Sequence, residues 1–445
     1  MMSKDNRLNN KLPYKETRLT HDERSHQLTN INVWTPDSQW LAYDIRPNGS
    51  SFTGLSIEKI HVKTRQVVEV YRASHGAHVG VVTVSPQPPI QYAFIHGPEY
   101  PDDQWQYDFH HRRGVYVKDE QLNVAHSIDA MCITPPYLVG ALRGGTHVHV
   151  FSPDGKWLSF TYNDHIMHEL DVQLDQRNVA IAVPIGPINV NPKKHAREYS
   201  GDYFCCVVTQ TTPQPKANSD EISRAYEEGW VGQKGYQKQS GEWQERALVF
   251  IGDTHSTNGE IIPEIYIVDL PSQLEDYMIA GEFPIQGTES SMPSPPRGIL
   301  QRRLTYTQDK KFPGLAKQPR HWLRTSPDGK SIACLMNDDD GNAQLWLVDT
   351  LTGTQRQITH GSSPLQSAFN WDSKGEHICF IRDNSVMYCH VVTGTMQKLT
   401  EWTELAPVAD AVVFSPNDEL IAFMRDIDGF RQIYTVETGL KRQIK

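Results

Sequence analysis

The chain lacks most of the features that fix a function class early. Six cysteines occur in 445 residues: Cys132, Cys205, Cys206, Cys334, Cys379 and Cys389. Their spacing fits neither a metal knuckle nor a disulfide framework, and the reading is reduced, buried thiols in a cytoplasmic protein. No run approaches the roughly 18 consecutive apolar residues of a membrane span. The opening "MMSKDNRLNNKLPYKE" has no apolar core of the secretory kind, so neither membrane nor export is expected. Basic residues are in deficit, 43 Lys and Arg against 53 Asp and Glu, for a formal charge of −10. A general nucleic-acid binder is disfavoured, because neutralising phosphates takes a basic surface. An acidic ligand in a local basic pocket stays compatible with that charge. There is no Gly-x-Ser-x-Gly nucleophile elbow, and no length left over for a companion peptidase domain.

What the chain does have is a repeat. "TPDSQWLAY" (35–43), "SPDGKWLSF" (152–160), "SPDGKSIAC" (326–334), "WDSKGEHICF" (371–380) and "SPNDELIAF" (415–423) are versions of one unit. A Pro-Asp-Gly turn leads into an alternating apolar strand, and two further strands follow. Four short strands in about 40–50 residues make one blade of a β-propeller. The expected architecture is all-β, a single seven-bladed propeller. Its blades fall near 29–73, 76–135, 146–185, 197–307, 320–361, 365–402 and 408–440. The last blade has only three strands of its own, and "YKETRLTHDE" (14–23) reads like the missing fourth. That segment is expected to complete blade seven and so remove the open sheet edges. Blade four carries insertions at 213–245 and 270–300, each either a lid or a plain surface excursion. Within the first, "SDEISRAYEEGW" (219–230) predicts a short helix, from its Ser-Asp caps and early acids.

Histidine is plentiful, 19 in all, and its placement matters. In a propeller the first strand of each blade lines the central channel. A period of two puts His147 and His149 on one face, about 6–7 Å apart, within reach of one ion. His75 and His78 precede the first turn of blade two, and His321 that of blade five. His96, His165 and His168 follow second strands and open on the same end of the ring. Arg143, Arg112 and Arg113 lie in adjoining loops. Each histidine taken alone reads as channel lining, and the convergence is what points to a functional pocket. His110 and His111 read equally well as a solvated loop.

"AHVGVVTVSPQPPIQYAFIHGPEY" and "GTHVHVFSPDGKWLSFTYND" carry a resemblance. The chain resembles TolB-like propellers through its blade turns. More closely it is similar to oligogalacturonate lyase-type seven-bladed propellers and to the uncharacterised YidR-like family. The resemblance implies a divalent metal, manganese in the lyases, and β-elimination on an acidic sugar or short uronate oligosaccharide. It implies His78 as base, with His96 in support, and Arg143 as carboxylate clamp. It implies His147, His149 and His321 as metal ligands. A neutral histidine suits removal of the proton α to a carboxylate, and a cation suits the charge that develops. The alternative is a non-catalytic propeller that binds a protein or small ligand. A closed ring needs no partner for stability, so the fold carries no expectation of one oligomeric state over another.

Overall fold

The computed structural model describes residues 12–440. Seven four-stranded antiparallel sheets follow one another along the chain as the blades of a propeller. The inner strands are His26–Gln27, Val79–Val84, Gly144–Phe151, Ala225–Trp230, Arg324–Thr325, Asn370–Trp371 and Pro407–Phe414. Blade seven takes its outermost strand, Glu16–Arg18, from the N-terminal end, with Glu16 opposite Val436 and Arg18 opposite Tyr434. The one α-helix among the described residues, His165–Leu170, links the second and third strands of blade three. Among the described residues no helix is long and apolar enough to cross a membrane.

The turn chemistry explains why the blades start where they do. In blade three Asp154 accepts the Ser152 hydroxyl and the Lys156 amide, Ser152 Oγ accepts the Trp157 amide, and Gly155 sits at φ 72°. Ser326 and Asp328 repeat this in blade five, with Gly329 at φ 73°. A hydroxyl and a carboxylate thereby bind the amides that a reversing chain leaves free, and glycine supplies the left-handed residue. The core is shared out among the seams between neighbouring blades. Val179, Ile181 and Phe204 of blade three, for example, pack on Leu248, Phe250 and Val268 of blade four. The closing seam sets Leu41 and Tyr43 of blade one against Val413 and Met424 of blade seven. Each blade is thereby buried against a neighbour, and that burial of apolar surface holds the ring together.

Two expectations in the middle of the ring need correction. Phe204–Val207 is the fourth strand of blade three, so blade four begins with Ala225–Trp230 rather than near 197. The latter segment is a strand and not a helix. Its period is hidden because a bulge at Glu227, φ 53°, interrupts the alternation between Tyr226 and Gly229. The insertion at 270–300 is packed along blade three. Tyr277 meets Trp157 edge-on at one end, and Arg143 holds the Thr288 and Ser291 carbonyls at the other.

Candidate functional site at one mouth of the channel

The inner strands of blades two, three and four carry the same irregularity. Val81, Val148 and Glu227 sit at φ 61°, 56° and 53°, and the register slips beside each of them. β-Branched residues rarely hold this conformation, and such strain persists only where the surroundings impose it. The bulges turn Val81 and Val148 toward Ile31, Ile95 and Val150, with Trp230 and Trp322 alongside. Side chains from five blades meet there in one apolar cluster.

The same bulge separates His147 from His149 and corrects the expectation that they share a face. His149 is fully buried, its Nε2 is 2.9 Å from Thr146 Oγ1, and its ring lies over Gly114. Burial, then Arg112, pushes its pKa down to about 3. His321 is also committed: Nε2 accepts the Leu335 amide at 3.2 Å, and Nδ1 faces the Pro319 carbonyl at 3.1 Å. The structure does not bring His147, His149 and His321 together as one donor set, since two of the three rings are buried and hydrogen-bonded. His96 is buried with Nδ1 on the Gly97 carbonyl at 2.6 Å and Nε2 on Tyr71 Oη at 3.0 Å, so it offers no free base. Burial and then Arg113 bring its pKa to about 4. Arg143 is fully buried against Asp164 and cannot clamp a ligand.

His78 and His147 remain at the mouth, both half-buried. The buried Nδ1 of His78 has no hydrogen-bond partner. Around His147 the structure gathers arginines that the sequence reading did not connect. Arg112 leaves the second loop of blade two, and its carbonyl accepts the Thr146 amide. Arg177 precedes the third strand of blade three, and its carbonyl accepts the Ala225 amide. Arg320 approaches from blade five, 2.8 Å from Glu227 and stacked on Trp322. Burial first, then Arg112, Arg177 and Arg320, holds His147 well below the usual imidazole range and so uncharged. Among the described residues no carboxylate pairs with Arg112 or Arg177. Arg112 is 4% exposed, bonds only Tyr107 Oη through Nη1, and leaves Nε unpartnered. Burial, then Arg112 and Arg224, pulls Arg177 down to about 9. These loops lie far apart in sequence, and only the "HHRR" run at 110–113 hinted at them.

A cavity of about 1020 Å³ lies at the other end of the channel among the blade turns. Trp34, Trp230 and Trp371 line it together with Arg324 and Lys234. Glu228, on the inner strand of blade four, is buried with neither carboxyl oxygen hydrogen-bonded, and burial raises its pKa to about 8. Among the described residues three groups of side chains have the spacing to hold a metal: His110–His111–His165, His110–His168–Glu169 and Asp372–Glu376–His377.

Fold and mouth together define a closed seven-bladed propeller with an arginine-rich entrance. Residues 78–199 match a family described as a protein of unknown function (DUF3748). The uncharacterized protein YidR of Escherichia coli (strain K12) is 53% identical over 406 residues, 91% of this chain and 94% of YidR. The chain belongs to the YidR family. In fold it is similar to an oligogalacturonate lyase in complex with manganese, at a TM-score of 0.55 and 11% identity, over 96% of this chain and 94% of that one. The oligogalacturonate lyase of Vibrio parahaemolyticus gives a TM-score of 0.55 at 12% identity, over 96% and 97% of the two chains.

Proposed function

We propose that the mouth around His147 binds an acidic sugar or short uronate oligosaccharide and carries out lyase-like β-elimination on it. The observation behind this reading is the pair Arg112 and Arg177, two largely buried guanidinium groups without carboxylate partners beside an uncharged imidazole. An unpaired cation in such a place is costly, and an anionic ligand offsets the cost. A planar guanidinium holds a carboxylate by two hydrogen bonds. His147 then takes the proton next to that carboxylate. The C–H electron pair becomes the new C=C bond as the C–O bond to the leaving sugar breaks; the departing oxygen takes a proton from water, and the hydroxide left behind takes back the proton that His147 removed. Arg112 and Arg177 stabilise the charge that grows on the carboxylate. The manganese that the resemblance implies finds no common donor set in His147, His149 and His321.

The test is to mix the protein with di- and trigalacturonate, following heat of binding and the ultraviolet absorbance of unsaturated uronate. Binding that disappears in Arg112→Ala, with absorbance that disappears in His147→Ala, is the expected result. No binding of either sugar at millimolar concentration overturns the reading. A second reading, a non-catalytic propeller that docks a protein, draws on the tryptophan-lined cavity at the opposite mouth, which elimination does not need. Uronate binding without turnover would leave catalysis unsupported and make the ring a binding module.

A further inference from the structure

Two loops on the ring end nearest His147 bring four imidazoles together. His110 and His111 come from the loop after the second strand of blade two, and His165 and His168 from the first turn of the helix in blade three. The His110 and His168 rings stack at 3.8 Å, and those of His110 and His111 meet at 4.1 Å. Trp105 covers His111 at 3.7 Å. His111 Nδ1 is 2.9 Å from the Gln106 carbonyl, which can only accept, so Nδ1 carries the proton and Nε2 the lone pair. That Nε2 lies 3.2 Å from His165 Nδ1. Two imidazole nitrogens bound at about 2.0–2.1 Å to a tetrahedral ion stand at nearly this separation.

His110 is 3% exposed, and its Nδ1 is buried with no hydrogen-bond partner. His168 Nδ1 is likewise unpartnered, although an Asp175 oxygen lies 3.4 Å away. Packing several imidazoles so closely forbids their joint protonation. Asp108 stands 3.8 Å from His110 Nδ1, and Glu169 reaches the same group as His110 and His168. Buried orphan nitrogens with carboxylates behind them are what a metal site needs and a hydrophobic core does not.

We propose that His110, His111 and His165, with His168 beside them, bind one transition-metal dication of the zinc class, and that the ion ties the two loops together. Imidazole ligands suit zinc, nickel and copper, with copper the strongest competitor. The ligands come from loops rather than from the channel wall, so the role is structural. The tied loops are those that lead into Arg112 and Arg177.

The experiment is titration of Zn²⁺ into the tag-free, chelator-treated full chain, for wild type, His110→Ala, His165→Ala, His168→Asn and His377→Ala. One equivalent is expected to bind wild type and to raise its melting temperature. Affinity should fall at least about tenfold in His110→Ala and His165→Ala, while His377→Ala keeps it. No binding by wild type overturns the proposal, as does binding kept in His110→Ala and His165→Ala or lost only in His377→Ala. Should the alanine variants fail to fold, the wild-type titration still decides, read by NMR of the imidazole protons, with His168→Asn as the milder substitution. Zinc that shifts none of the His110, His111 and His165 resonances overturns the site.

Discussion

Arg143 and Asp164 face one another fully buried, with Nη2 2.7 Å and Nε 3.0 Å from the same carboxylate oxygen. Tyr162 Oη bonds that oxygen too, at 2.8 Å, while Nη1 donates to the Thr288 carbonyl and Nη2 also donates to the Ser291 carbonyl. Arg143→Met would leave a buried carboxylate without its cation and the insertion without its anchor. A loss of about 3–5 kcal/mol in chemical denaturation is expected. Faster hydrogen exchange over residues 284–292 should accompany it. A loss under about 1 kcal/mol would mean that Asp164 is satisfied without the arginine.

Arg112 invites the opposite outcome. Arg112→Met removes a buried cation that lacks a counter-ion, and the free protein should gain stability, on the order of 1 kcal/mol. The same change should abolish uronate binding. A destabilised variant would show that Arg112 is already paired, by an anion or by water.

Gly114 is the floor beneath His149. A methyl group there would run into Nε2 and the ring carbons, and the ring is buried between blades with nowhere to retreat. Gly114→Ala should cost about 1–3 kcal/mol by overpacking, seen as a lower melting temperature. Restoration of stability by a second change, His149→Ala, would confirm the clash as the cause.

Glu228 should give stability a pH dependence. The unfolded chain ionises near the ordinary carboxylate range, while the folded chain keeps its proton up to about 8. Between those values the native state binds more protons, so this group's contribution is full below the lower pKa and is lost as pH rises through about 8. Glu228→Gln carries no such proton and should lack the decline. Its advantage over wild type should grow by a few kcal/mol between pH 5 and 8.5. Parallel urea midpoints for the two proteins across that range would refute the assignment.

The ring was legible because its turns are written in residues with a single local reason to be there. Ser152, Asp154 and Gly155 announce a blade wherever they fall, and the Glu16–Arg18 strand was recognisable from its kinship to the outer strands. The site was legible only as a region. Nothing in "THVHV" signals that Val148 will adopt φ 56°, because valine is among the residues least suited to it. That one residue sends His149 into the seam and leaves His147 at the mouth. Arg177 and Arg320 look like ordinary loop arginines, and their convergence depends on how three seams are stitched. For His110 and His111 a solvated loop was an equally good reading, because the helix that brings His165 and His168 against them is six residues long, too short to declare itself.

Closure by a borrowed strand also sets the order of events in time. Arg425 grips Glu16 across 409 residues of sequence. As the chain grows from its N-terminal end, Glu16–Arg18 has no partner until Phe430–Glu437 exists, and the seam between blades one and seven stays open. Every other blade can form from local hairpins, so the latch is the slow, high-contact-order step. A nascent or heat-opened ring therefore presents two unpaired edges at once, and those edges are where chaperone capture or aggregation would begin.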